Sequence, residues 1–472
     1  SVDTVKNNPY ILCDEISGIG FKTSDKIARS LGIEIDSPFR IQSGIRYVIN
    51  EFCANGHTFM PKDELIKEAS NVLTVSGDII EENIKNAALD RKIKLEKVND
   101  KEGVFTIPNY YCELGITNRI LTLAISNFQD ISVDVDHLIL QFEKKNNITF
   151  AESQKDAIIS AFQNGIEIIT GGPGTGKTTI IKCIIEIFET CGLKVLLGAP
   201  TGRAAKRMSE STGKEATTIH RMLDMGVFEK EESVFVTNAE EHSLEADVVI
   251  IDEASMIDIT LMNALLKSIK VGTRLIIVGD VDQLPSVGAG NVLNDFIESG
   301  FTKVVRLKEI FRQGKESMIV VNAHKINKGE MPKLNEKGTD FFFIRNDIQE
   351  GILNTIIDLI NTRLPKFNSN WDKLKSIQVL VPMKKGVLGV TNLNERIQNV
   401  LNPKAPYKKE KEFRSMVFRE GDKVMQIKNN YCLKWTRIAG KGEHEGLGVF
   451  NGDMGFIESI DLEGKKLSII FD

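Results

Sequence analysis

Ile166-Glu-Ile-Ile-Thr-Gly171-Gly-Pro-Gly-Thr-Gly176-Lys177-Thr178-Thr179 is a short β-rich run, a glycine turn and the start of an apolar helix pattern. The helix pattern is carried on by Ile180, Ile181, Ile184, Ile185 and Ile187. Strand, glycine turn and helix, in that order, are what a phosphate-cradling loop requires. Glycines let backbone N–H groups converge on phosphate oxygens. The helix N-terminus adds partial positive charge at the same point. The spacing Gly171-x-x-x-x-Gly176-Lys177-Thr178 assigns nucleotide contacts to Gly171, Gly172, Pro173, Gly174, Thr175, Gly176, Lys177, Thr178 and Thr179. Lys177 is expected at the β/γ-phosphates and the Thr178 hydroxyl on Mg2+, which makes ATP and Mg2+ the expected ligands. The turn lacks G-x-G-x-x-G spacing, which excludes a dinucleotide-binding oxidoreductase.

Around this loop, residues 148–306 alternate strictly between strand and helix patterns. Strands are expected at Ile166–Thr170, Lys194–Gly198, Asp247–Ile251, Arg274–Val278 and Lys303–Leu307, with helices at 177–190, 201–210, 258–269 and 290–299. Continuous apolar strands between helices predict an α/β domain with a parallel sheet covered on both faces. Val248-Val-Ile-Ile-Asp252-Glu253-Ala-Ser255 is a strand ending in two acids. Asp252 is assigned to metal support and Glu253 to general base. Gly279-Asp280-Val-Asp-Gln283-Leu-Pro285 follows another apolar strand, and Gln283 can sense a γ-phosphate with its amide. Ligands of open parallel sheets bind at the carboxyl ends of strands, so these loops are expected on one edge.

The whole chain has 472 residues, 42% hydrophobic and 26% charged, with net charge −5. This suits several globular domains and gives no global basic signal. No apolar run approaches the ~18 residues of a membrane span, and no signal peptide is visible. The six cysteines include no C-x-x-C pair, which suits reduced thiols in cytoplasm rather than a disulfide framework. The chain starts Ser1-Val2-Asp3 and stops at Phe471-Asp472 inside a strand pattern, so a fragment is expected at both termini. Residues 1–37 read as two short helices around Ser17-Gly18-Ile19-Gly20, and 38–128 as helices with a small β-hairpin, an all-α/winged-helix-like region. Residues 129–306 hold the alternating domain, 307–412 a second, less regular α/β segment with a strand at Ile377–Val381, and 413–472 a small β-barrel. Local basic character comes from Arg203, Lys206, Arg207, Lys214 and Arg221 against Glu210 and Glu215. Such a patch suits a single-stranded backbone, and a solvated helix face explains any single member. Residues 226–245 fit a projecting hairpin and a plain surface excursion equally. Asn429, Asn430 and Asn451-Gly452 fit DNA contacts and turn chemistry almost equally.

Asp252–Ser255, Gly279–Pro285 and Ala199-Pro-Thr-Gly-Arg-Ala-Ala-Lys-Arg207 resemble motifs of superfamily 1 helicases. Thr218-Ile-His220-Arg221-Met-Leu223, Glu309-Ile-Phe-Arg312-Gln313 and Val379-Leu-Val-Pro382-Met-Lys-Lys-Gly386 resemble segments of the RecD-type branch. Asn8-Pro-Tyr10 with Gly18-Ile-Gly20-Phe21 resembles the helix-hairpin-helix part of its long, stand-alone members. The resemblance implies RecA-like motor domains of the P-loop NTPase class (129–306, and 307–412 incomplete), with a truncated SH3-like insertion (413–472). It implies that Gln154 reads adenine and Arg312 reaches the γ-phosphate across a cleft. Thr201, Arg203, Lys206, Arg207, His220 and Arg221 suit contacts to a single-stranded DNA backbone, and Gly18 and Gly20 would offer N–H groups to a DNA phosphate; a core position explains His220 equally, and a tight helix–helix turn also fits Gly18–Gly20. The resemblance implies an ATP-dependent DNA helicase moving 5′→3′ on single-stranded DNA and at duplex junctions in recombination or repair. A monomer without membrane association is expected. Later motifs of the family are absent, so weak hydrolysis is expected. A translocase that does not separate strands and a DNA-binding module switched by ATP are the rival readings.

Overall fold

The computed structural model describes all residues except 1–4, 7, 17–18, 130, 132, 224–242, 310–316, 337, 415, 429, 439–444 and 472. The chain divides into two compact units: Ser1–Pro200 with Ala204–Lys315, and Thr201–Arg203 with Glu316–Asp472.

The first unit opens with short helices α1 (Ile11–Glu15) and α2 (Phe21–Ser30), then α3 (Pro38–Cys53). Next come β1 (Phe59–Pro61), α4 (Lys62–Leu73), α5 (Gly77–Leu89), β2 (Ile93–Val98) and β3 (Lys101–Thr106). The three strands form an antiparallel sheet in the order β1-β3-β2. Buried Arg40 on α3 donates to Asp25 on α2 (2.8 Å) and to the Leu73 carbonyl that ends α4 (2.9 Å). Tyr10 donates to the same Asp25 carboxylate (2.7 Å). The buried guanidinium is thus paired and hydrogen-bonded, as burial of a charge demands.

Helix α6 (Ile107–Ile125) leaves this module, its first turn capped by the Thr106 hydroxyl. Arg119 on α6 donates to the Leu266 carbonyl (3.0 Å) and the Ile269 carbonyl. Asn109 donates to the Thr58 carbonyl (3.2 Å), and the Gly290 amide donates to the Gly56 carbonyl (2.9 Å). Helices α7 (Val135–Asn146) and α8 (Glu152–Gln163) follow. Then come β4 (Ile166–Gly171), α9 (Lys177–Thr190), β5 (Val195–Ala199), α10 (Gly202–Thr212), β6 (Ala216–Thr218) and α11 (Ile219–Met222). The unit closes with β7 (Val248–Ile251), α12 (Ile259–Ser268), β8 (Arg274–Gly279), α13 (Val292–Ser299) and β9 (Lys303–Leu307).

Six strands form a parallel sheet in the order β6-β5-β7-β8-β4-β9. Side chains alternate between its faces with period two. Val248, Ile250, Ile276 and Val278 pack with Ile180, Ile184 and Phe188 of α9 on one face. Val249, Ile251, Leu275 and Ile277 pack with Leu265 and Leu266 of α12 on the other. All eight strand residues are at most 1% exposed, and each contributes about 1.5–3 kcal/mol by burial. Glu167 breaks the apolar run of β4. It is fully buried, and its Oε1 accepts from Ser160 on α8.

The second unit carries α14 (Met318–Asn327), α15 (Gln349–Asp358), a π-helical turn at Leu359–Arg363, α16 (Leu364–Phe367) and α17 (Val390–Leu401). No strand forms among the described residues of 317–409, so the expected strand Ile377–Val381 is corrected to irregular chain. A strand needs a neighbour to take up its N–H and C=O groups, and this run has none. The strands that follow are β10 (Glu410–Phe413), β11 (Met416–Arg419), β12 (Lys423–Met425), β13 (Asn430–Thr436), β14 (Glu445–Val449), β15 (Met454–Asp461) and β16 (Lys466–Phe471). They pair as β10-β11, β13-β14 and β12-β15-β16, all antiparallel. Gln398 on α17 and Asn402 beyond it both donate to the Asp422 carboxylate (2.6 and 2.7 Å). That anchors α17 to the strands.

Candidate nucleotide and nucleic-acid site

The loop between β4 and α9 is held open by its own backbone. Gly174 (φ +76°) and Gly176 (φ +84°) take left-handed conformations that side chains resist. A Cβ on Gly171 would come within 2.8 Å of Leu307 Cβ and of Thr175 Oγ1. Thr175 is buried and its hydroxyl donates to the Gly172 carbonyl (2.8 Å). Lys177 is the first residue of α9. Its ammonium donates to the Gly171 carbonyl and the Gly172 carbonyl (3.2 Å), inside the curl of the loop. Pro173 and Thr178 are exposed, and Thr179 is half-buried.

Asp252 follows β7, and its amide donates to the Gly198 carbonyl at the end of β5 (3.0 Å). Its carboxylate accepts from the Glu253 amide (2.8 Å). Glu253 is left-handed (φ +54°), a conformation that costs a non-glycine residue about 1 kcal/mol or more. Burial raises the Asp252 pKa, opposed by the Glu253 amide and by the charges of Lys177 and Arg207. Burial also raises that of Glu253, joined by repulsion from Asp252 and Asp280 and opposed by Lys177 and Arg207. These groups therefore share one electrostatic field.

The third loop leaves β8. Asp280 is buried, accepts from the Asp282 amide (3.1 Å) and takes the Gln283 amide at 3.5 Å. The Val281 amide donates to Thr170 Oγ1 on β4 (3.2 Å), which ties this loop to the phosphate loop. Lys177, Asp252, Glu253, Asp280 and Gln283 thus meet at the carboxyl ends of β4, β7 and β8. Thr170 was not singled out from sequence, and its only signal was its place between an apolar strand and the first loop glycine. Leu284 (87% exposed) and Val287 (94% exposed) stand out from the crest of the third loop.

Gln154 sits against the phosphate loop. It is 3% exposed, its Oε1 accepts from the Ala151 amide (3.0 Å), and its Nε2 donates to the Thr175 carbonyl (2.9 Å). Both ends of the amide are used within the protein. On α10, Arg203, Lys206 and Arg207 are exposed, as is Arg221 on α11. Arg207 also acts on the two acids of the β7 loop. Lys214 pairs with Glu189 (2.6 Å). Thr201 and His220 are half-buried, and Gly20 is the N-cap of α2. Gly18, Arg312, Asn429 and residues 226–242 of the expected hairpin lie outside the described residues. Among the described residues no group of three or more His, Cys, Asp or Glu side chains could hold a metal ion, and all six cysteines are free. No helix among them is long and apolar enough to cross a membrane.

Residues 154–289 match the model of an AAA domain, and residues 393–471 match the SH3 domain of ATP-dependent RecD-like DNA helicases. Residues 1–59 match the helix-hairpin-helix domain of ATP-dependent RecD2 DNA helicases. Along its whole length the chain is 30% identical to the ATP-dependent RecD2 DNA helicase of Deinococcus radiodurans, of which it covers 62%. These matches make the chain similar to RecD-type helicases. A second RecD-type relative is the RecBCD enzyme subunit RecD of Mycolicibacterium smegmatis, 37% identical over 34% of this chain and 33% of that protein. An uncharacterized protein of Methanocaldococcus jannaschii is 28% identical over 97% of this chain and 46% of its own length. The chain thus spans less than two thirds of the length of each of these relatives.

Proposed function

We propose that this chain is the nucleotide-driven part of an ATP-dependent DNA helicase that moves 5′→3′ on single-stranded DNA. The observation that carries the reading is the meeting of Lys177, Asp252, Glu253 and Gln283 at one edge of the parallel sheet. Lys177 and the loop amides bind the β- and γ-phosphates. Thr178 and Asp252 are the residues that would hold Mg2+, which when bound neutralises phosphate charge. Both fit that ion, Thr178 by its exposed position at a helix N-terminus and Asp252 by a buried carboxylate that feels the charge of Lys177. Glu253 accepts the proton of the attacking water, and its raised pKa suits a base that must take and then release a proton. Gln283 senses the γ-phosphate with its side-chain amide, Asp280 orders the neighbouring loop, and Arg312 supplies a guanidinium to the same phosphate.

Thr201, Arg203, Lys206, Arg207, His220 and Arg221 contact the DNA backbone, and Gly18 and Gly20 offer backbone N–H groups to a duplex phosphate. The place of action is a duplex/single-strand junction in recombination or repair, in the cytoplasm, with the protein as a monomer. The deciding experiment is ATP turnover with and without single-stranded DNA, followed by unwinding of a forked duplex by the full-length protein. Stimulation together with unwinding supports the helicase. Stimulation without unwinding leaves a translocase, and no stimulation in the full-length protein leaves a module that uses ATP as a switch.

A further inference from the structure

The loop between β8 and α13 carries Gln283, and it is pinned at both feet. At its start the Val281 amide donates to Thr170 Oγ1 on β4 (3.2 Å), beside the phosphate loop. At its end the Ile259 amide donates to the Ala289 carbonyl (3.0 Å), and the Gly290 amide donates to the Gly56 carbonyl (2.9 Å). The buried Ser286 hydroxyl faces the Gly288 and Gly290 carbonyls (3.1 and 2.9 Å) and draws this foot together. A Cβ on Gly288 would collide with the Asp258 carboxylate, so the foot has no slack. The crest is open, with Leu284 and Val287 exposed. Gly56 belongs to the turn between α3 and β1, and that turn is itself held. The Gly56 amide donates to the Cys53 carbonyl (3.0 Å), and His57 stacks on Phe52 with ring centroids 4.1 Å apart. From α6, the Asn109 side chain donates to the Thr58 carbonyl (3.2 Å). The Asn109 backbone amide donates to the Thr106 hydroxyl (3.3 Å), so that side chain starts from a fixed helix turn. A short path therefore runs from Asn109 through Thr58 and Gly56 to Gly290 and the loop of Gln283.

We propose that the turn Gly56–Thr58 braces the loop that senses the γ-phosphate, and that Asn109 is a positioning residue for ATP hydrolysis that acts through this turn. This rests on the reading above of Gln283 as the sensor. A group that meets a reacting phosphate must be held to within about 0.5 Å of its productive place by the elements behind it. A loop pinned at both feet has less conformational freedom to lose in reaching that place. Lys177 and the phosphate-loop amides lie beyond Thr170, at the other foot. Loosening the brace therefore costs chemistry and spares nucleotide affinity, the signature of an interaction realised in the transition state.

The test is steady-state ATP turnover of the full-length protein with single-stranded DNA present. Wild type is compared with Asn109→Ala, which removes the donor to Thr58, and with Asn109→Asp, which keeps the volume and loses the same donor. Amide exchange over residues 281–291 and 171–176 is followed on the same samples. The expected result for both variants is kcat lower by about fivefold, KM for ATP within about twofold of wild type, and faster exchange over 281–291 with 171–176 unchanged. Asn109→Asp serves alone if the alanine variant does not fold. A kcat within about twofold of wild type overturns the brace. So does a lower kcat accompanied by equally faster exchange over both segments, which marks a merely structural role. Gln283→Ala with unchanged turnover, or a wild-type protein with none, overturns the reading on which the brace rests, a result distinct from the others.

Discussion

Ile277, in the middle of β8, is fully buried, whereas Leu380, in the equally apolar run Ile377–Val381, is 88% exposed. The contrast extends to the regions around them. Strands β4, β7 and β8 are shielded on both faces by helices, and their ladders are complete. In the second unit Phe342 (60%), Ile348 (70%) and Phe367 (69%) all stay exposed. The apolar residue types are alike in both places. The difference lies in hydrogen-bonded neighbours: a strand buries its side chains only when flanking strands take its polar backbone and helices cover its faces. Catalytic geometry needs the rigid kind of region, and the three loops of the candidate site all leave the shielded strands.

The largest effect expected is on chemistry. Lys177→Ala lowers ATP turnover of the full-length protein by about 1000-fold or more and leaves its far-UV spectrum unchanged. Turnover within tenfold of wild type would place the active phosphate site outside the first region. Next comes core packing. Ile277→Ala costs about 2–5 kcal/mol of stability, read from urea unfolding of the first unit. A cost below 1 kcal/mol would mean that the sheet is not close-packed.

Glu167 comes third. Burial pushes its pKa up to about 8 from 4.5, although the Ser160 hydroxyl pulls it down. The native state then holds a proton that the unfolded chain releases above pH 4.5, so stability falls as pH rises from about 4.5 to about 8. Glu167→Gln stays neutral throughout, and raises Tm at pH 8 by a few degrees while leaving it nearly unchanged at pH 4.5. Equal shifts at both pH values refute a protonated Glu167.

Changing Arg203 and Arg207 together to Ala weakens single-strand binding about tenfold and flattens the log–log salt slope by about 1.4. An unchanged slope moves the DNA path off α10. Smallest is Leu380→Ala, expected within about 0.5 kcal/mol of wild type. A core-sized penalty there would erase the contrast with Ile277.

Much of the first region was legible because its signals are local. The runs before Gly171, Asp252 and Gly279 are apolar and bounded, and the five expected strands formed within one residue at each end. Strands β1 and β6 escaped notice because three residues, Phe59–Pro61 and Ala216–Thr218, carry no readable alternation. Ile377–Val381 forms no strand because its sequence carries a preference for extension and not a partner. Glu167 left a clue, a single acid between isoleucines, whose meaning depends on Ser160 from another element.

The bond from the Gly290 amide to the Gly56 carbonyl joins main chain to main chain. Among substitutions only proline at Gly290 removes the donor directly, and any added side chain at Gly290 (φ +95°) would run into Ile259. Together with Arg119 capping the end of α12, it makes the front of the chain a donor of caps to the sheet unit. A shortened protein cut near residue 129 would therefore leave raw carbonyls at Leu266 and Ile269 and an orphan amide at Gly290. Anyone trimming this protein to its parallel-sheet domain should retain residues 38–128 as part of the scaffold.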